Sequence, residues 1–113
     1  MADIEKKADI ELLVNTFYTE VLKNELLKPF FKHLNFEHHM PRMIHFWSFI
    51  LLDEEGYKTN MTETHSKMPL TAELFDTWVK LFSETVDKLF QGEKANLAKE
   101  RAMLLGWTMK SKL

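Results

Sequence analysis

The 113-residue chain contains no cysteine. Disulfides, thiol catalysis and thiolate ligation of a metal are thereby excluded, and any metal would have to be held by His, Met, Tyr or carboxylate. Only three Gly and three Pro occur, and turn-forming dipeptides are scarce, which argues against a many-stranded sheet with frequent tight turns. Helices are left. The formal net charge is only −2, and Lys and Arg are spread along the chain, so there is no electrostatic footprint for nucleic acid or anionic lipid. Met1 to Lys7 lacks an apolar signal-like stretch, and the longest apolar run, Phe46 to Leu52 broken only by Ser48, is too short to cross a bilayer. Neither nucleic acid nor membrane is expected as a partner, and a cytoplasmic monomer is expected. Motifs for conventional chemistry are also missing: there is no Gly-rich phosphate loop, no G-x-S-x-G elbow and no pair of histidines four apart on one helical face.

What is present is an aromatic and sulfur-rich interior: nine Phe, three Trp, two Tyr and seven Met. Met fills irregular gaps and aromatic rings bury large areas, so a plain core could be built this way. A flat aromatic cofactor would require the same lining. Hydrophobic residues at 45% and charged residues at 28% are ordinary for a globular protein. At this length one domain over residues 1–113, with one ligand pocket, is expected.

Helical spacing of apolar residues organises most of the chain. From Asp9 to about Lys23, Ile10, Leu13, Val14, Phe17 and Val21 form a stripe with Leu12 and Tyr18 beside it. Asn24 and Glu25 interrupt it, and Pro29 suits the opening of a short second helical turn carrying Phe30, Phe31 and Leu34. A third helix beginning at Asn35 or Glu37 would run to about Leu52 and turn Met40, Met43, Ile44, Trp47, Ile50 and Leu51 inward. Pro41 should hold its regular start near Glu37 or later, or else kink it. Asp53 to Pro69 has no strong periodicity and reads as a loop. Thr71 is the expected N-cap of a helix from Ala72 to about Phe90, with Gly92 as the stop. A last helix from about Lys94 to Met109 should carry Leu97, Ala98, Ala102, Met103 and Leu105 inward. The sum is a compact all-α domain.

Three segments in order, FYTEV at Phe17 to Val21, HFWSFILL at His45 to Leu52 and FDTWVKLFSETVDKLFQGEKA at Phe75 to Ala95, resemble the truncated haemoglobins of group III. The resemblance covers nearly the whole chain. It implies a shortened globin fold, a helical sandwich around a haem, with haem b as cofactor. His65, in THSKMPL ahead of the Trp78 helix, matches the proximal histidine of that family; by its loop position alone it would read as a solvated side chain. A neutral imidazole there would bind the iron through one ring nitrogen and donate from the other to a carbonyl or water.

By the same resemblance Tyr18, beside the apolar Phe17, would point its hydroxyl at a distal ligand, and Trp78 would offer its indole N–H there. His39 matches the distal position at the opening of the third helix, where it could gate entry, donate a hydrogen bond or bind the iron itself. Met43, Phe31, Trp47, Leu70 and Phe75 are expected wall residues, and each would serve equally as plain core. Arg42 is the first expectation for the haem propionates, with Tyr57, Lys58 and Lys67 as alternatives. The acidic stretch Asp53 to Asn60 departs from the family's usual glycine- and proline-bearing loop, and Phe36 to Met40 is compressed.

The implied function is binding of O2, CO, NO or another small oxidant such as peroxide at a His65-ligated iron. Two strong distal donors would slow oxygen loss, which suits storage, sensing or redox chemistry with an unidentified reductase better than bulk transport. Peroxidase or NO and O2 redox activity would make the chain an enzyme. Two alternatives stay open at this point: a six-coordinate haem, ligated by His39, for electron transfer or sensing, and a cofactor-free helical interaction domain.

Overall fold

The computed structural model describes residues 2–32, 36–53 and 71–111. Among these every regular element is a helix: α1 (Lys7–Val21), α2 (Lys28–Phe31), α3 (Phe36–Leu52), α4 (Ala72–Leu89) and α5 (Glu93–Lys110). No helix among the described residues is long and apolar enough to cross a membrane. The loop expected over Asp53 to Pro69 lies outside the described residues except at Asp53, and with it His65, Tyr57, Lys58, Lys67 and Leu70.

α1 forms where the stripe was read, and Ile10, Leu13, Val14, Phe17 and Val21 are buried along it. Its start is fixed by Asp9, whose carboxylate accepts the N–H groups of Glu5 and Lys6 at 2.9 and 3.1 Å, relieving donors that have no intrahelical acceptor. Tyr18 is buried as well. Standing beside the stripe, it widens the covered face of α1 toward α2 and α3, while Leu12 on the far side is exposed. At the end of α1 the Asn24 side chain accepts the N–H groups of Leu26 and Leu27, making the turn that lets Pro29 enter the first turn of α2.

α3 begins at Phe36 and carries Pro41 inside it, not in its first turn. Pro41 lies on the exposed side, where the carbonyl of Glu37, deprived of its helical donor, can meet water. The helix ends at Asp53, whose φ of 57° is the left-handed conformation that closes many helices and that Asp tolerates better than most residues. Two buried residues of α3, Phe46 and Ser48, were not anticipated.

α4 opens as expected, with Thr71 Oγ1 accepting the Leu74 N–H at 3.3 Å. α5 is held to the N-terminal segment. Asp3 accepts the N–H groups of Lys94 and Ala95, both at 2.9 Å, and Ala2 accepts that of Gln91. Gly92, at φ +149°, is required here, since a Cβ would lie 2.5 Å from Asp3 Cγ.

α1 packs on α3 and α4, and α4 packs most extensively on α5, so the helices form the two-layer sandwich expected of the shortened globin. α5 buries Ala95, Ala98, Ala102 and Gly106 on its inner side, with Gly106 set against Val79 of α4. These small residues recur every three or four positions and let the axes approach closely. The expectation that Met103 points inward is corrected: it is 60% exposed. One residue beyond Ala102 is about 100° further round the helix, and the narrow inward stripe does not extend that far.

Candidate functional site

The site residues come from four helices. Tyr18 and Phe17 are adjacent near the end of α1, Phe31 ends α2, His39, Met43 and Trp47 follow one another by single helical turns on α3, and Phe75 and Trp78 stand on the first half of α4. The fold brings most of them into contact. Tyr18 Oη lies 3.1 Å from His39 Nε2, a hydrogen bond between side chains 21 residues apart. The Tyr18 ring also meets Phe31 at 5.9 Å and Phe17 at 5.2 Å. Phe17 in turn sets its edge against Trp78 at 5.7 Å and Phe82 at 5.2 Å. Phe82 stacks with Trp47 at 4.7 Å and with Trp78 at 5.7 Å. Offset and edge-on contacts of this kind add specific attraction to the burial of area.

Polarity within this cluster is sparse and placed. Burial pushes the Tyr18 phenol far above its ordinary range, so it is a neutral O–H at any physiological pH. The roles in its bond to His39 follow the imidazole tautomer. If Nε2–H donates to the phenol oxygen, the Tyr18 hydrogen is left for another acceptor; if Nε2 accepts, that hydrogen is spent. His39 and Trp78 are both partly buried, and Trp78, although stacked on Phe82, keeps part of its surface uncovered. Met43 and Trp47 are buried at 6% and 3% exposure. Ser48 Oγ, next to Trp47, is buried without a hydrogen-bond partner among the described residues.

The other expected residues are placed less centrally. Phe75 is buried but stands apart from the main apolar cluster. Arg42 is exposed on α3. The sequence reading did not pair Tyr18 with His39, and no local signal could have done so. Ser48 could have been noticed, as the one polar residue inside the run Phe46 to Leu52. A separate open depression of about 460 Å³ lies at the α4–α5 corner. It is bridged by an ion pair, Lys99 Nζ to Asp87 Oδ1 at 2.7 Å, and its charged groups are thereby accounted for.

Residues 3–109 match the family of bacterial-like globins. The chain belongs to that family. This globin is 28% identical to the group 3 truncated haemoglobin of Campylobacter jejuni, over 85% of this chain and 81% of that protein. It is 32% identical to the group 1 truncated haemoglobin of Tetrahymena pyriformis, over 88% and 82% of the two chains. Its fold superposes on the crystal structure of the group III truncated haemoglobin from Campylobacter jejuni with a TM-score of 0.89, covering 100% of this chain and 95% of the other at 26% identity. The resemblance read from the FYTEV, HFWSFILL and FDTWVKLF segments is borne out. The globin fold implies a haem, and the described residues fit one: a lining of flat aromatic and thioether side chains among which a phenol, an imidazole and two indoles supply the polar tips.

Proposed function

We propose that this globin binds haem b against Tyr18, His39, Met43, Trp47, Phe75 and Trp78, with His65 as the proximal iron ligand, and takes O2, CO or NO on the distal side. The observation that carries the reading is the Tyr18–His39 hydrogen bond at 3.1 Å, set in an aromatic lining. Burying a phenol among apolar side chains is costly unless it is hydrogen-bonded, and the bond to His39 meets that need while it orients the Tyr18 hydroxyl. Bound haem would supply reversible diatomic binding and one-electron chemistry. The chain supplies the rest. His65, as a neutral imidazole, would hold the iron through one ring nitrogen and be oriented through the other. Phe31 and Leu70 would complete the apolar wall of a bound haem and help to exclude water, and Arg42, Tyr57 and Lys58 would answer its propionates.

With haem bound, Tyr18 Oη–H would be the first donor to a ligand, in the tautomer where His39 Nε2–H donates to the phenol oxygen. Trp78 Nε1–H is the second donor. Together they slow ligand loss, which suits storage, sensing or redox conversion of NO or peroxide with a reductase better than bulk transport. Because His39 Nε2 is engaged with Tyr18, five-coordinate iron is favoured over ligation by both histidines.

Absorbance tests the reading. Haem supplied to the protein should give an intense Soret band that His65→Ala weakens or abolishes, and a high-spin spectrum in the parent. No haem uptake would return the chain to a cofactor-free helical interaction domain. A low-spin parent spectrum that becomes high-spin in His39→Ala would establish the six-coordinate form instead. Oxygen dissociation should quicken roughly tenfold in Tyr18→Phe and in Trp78→Phe, the effect of losing about one hydrogen bond each. Rates no faster than the parent's would end the storage and sensing reading.

A further inference from the structure

Most large apolar side chains of α5 that do not face α4 would be expected to avoid water, yet Met103, Leu104 and Trp107 are 60%, 50% and 66% exposed. They form one contiguous turn. Along the same side of the helix Glu100, Met103, Trp107 and Lys110 recur at spacings of three, four and three, a seam of the kind by which one helix meets another. Its order is acidic, apolar, apolar, basic. That order is self-complementary when reversed, so two copies of α5 running antiparallel about a two-fold axis would match every position.

We propose that this face is a self-association surface, and that its occupant is a second copy of the same chain. With the axis between Met103 and Trp107, Met103 of each copy meets Trp107 of the other, a sulfur–aromatic contact made twice. Glu100 of each copy then faces Lys110 of the other, closing both ends of the apolar patch with opposite charges. Lys110 Nζ also holds Asp76 Oδ1 at 2.6 Å, but an ammonium has three donors and can serve both carboxylates. Leu104 flanks the seam and extends the patch. The close seating of α5 on α4, with Gly106 against Val79, gives the exposed face a firm backing.

Area sets the strength. A Trp alone presents about 150–250 Å², so the three exposed side chains offer on the order of 400 Å² per copy. Two copies would bury about 800 Å² in all, below the roughly 1,200–2,000 Å² of stable interfaces. The association is therefore weak and concentration-dependent, which refines the monomer expected from the sequence to a monomer that pairs when concentrated.

Sedimentation equilibrium of the haem-loaded protein from about 10 μM to about 1 mM tests this over the range where such weak complexes form. The average mass should climb from that of one chain toward twice that. Trp107→Glu should remain at one chain's mass throughout, with its Soret band and helical circular dichroism unchanged. Leu12→Glu, which changes an exposed apolar residue of α1, should behave as the parent. Glu100→Lys should weaken pairing at least several-fold at low salt, with the deficit shrinking as salt screens the like charges. A parent that stays monomeric at the highest concentration overturns the proposal, and so does a Trp107→Glu protein that pairs as the parent does.

Discussion

Tyr18 Oη and His39 Nε2, 3.1 Å apart, tie the end of α1 to the start of α3 across 21 residues of sequence. The bond joins the only phenol among the described residues to an imidazole at the rim of the aromatic cluster, and the chemistry proposed for this globin depends on how these two share a proton.

The buried phenol has a consequence at high pH. Its folded-state pKa is raised above the ordinary value of 10.0 by burial, so the stabilisation it lends is complete below about pH 10 and is lost as pH rises toward the folded-state value. Urea midpoints measured between pH 8 and pH 12 should fall on the alkaline side in the parent and fall less steeply in Tyr18→Phe. Parallel curves would mean that Tyr18 titrates as it does in the unfolded chain.

Asp3 works at the other end of the pH range. Partial burial pushes its carboxyl up, but the backbone N–H donors of Lys94, Ala95 and Ile4, with the charge of Lys94, outweigh this and hold it below the usual 3.8. Its stabilisation is therefore present above pH 3.8 and lost as pH falls through the folded-state value. Asp3→Ala should lower stability at pH 7 by about 1 kcal/mol, the usual effect of losing a helix cap, with the difference from the parent fading in acid. Gly92→Ala should be at least as damaging, because the new Cβ would meet the Asp3 carboxylate at a positive φ.

Ser48 presents the opposite case, a polar group whose removal should help. Its hydroxyl is fully buried and has no partner among the described residues, a state that costs about 1–3 kcal/mol. Ser48→Ala keeps the small size and removes the orphan, so the melting temperature should rise by a few degrees, about 1 kcal/mol for a domain of this length. A drop in melting temperature would show that the hydroxyl has a role that its surroundings do not reveal.

Phe82 is fully buried and stacks with both Trp47 and Trp78. Phe82→Ala should cost about 3–5 kcal/mol, a large part of the roughly 5–15 kcal/mol that holds a domain folded. The near-ultraviolet circular dichroism of the two indoles should collapse along with the urea midpoint, and haem affinity should fall with them. A modest loss of stability with the tryptophan signal intact would place the core's weight elsewhere.

Much of this architecture is legible from local pattern. The stripes of α1 and α4, the Thr71 cap and the placing of Pro29 all depend on residues within a turn or two of one another, so spacing and side-chain chemistry suffice. The family resemblance likewise rests on short ordered segments, and it named Tyr18, His39 and Trp78 without saying that Tyr18 bonds His39 or that Trp78 packs on Phe17 and Phe82. Their contacts arise only when α1, α3 and α4 converge, because a hydrogen bond across 21 residues depends on where the helices cross. The exposure of Met103 has the same origin. Periodicity alone cannot say how wide a covered face will be. The small residues Ala95, Ala98, Ala102 and Gly106 form a narrow buried line on α5, with Gly106 against Val79 of α4, and Met103, Leu104 and Trp107 lie beyond that line, facing water.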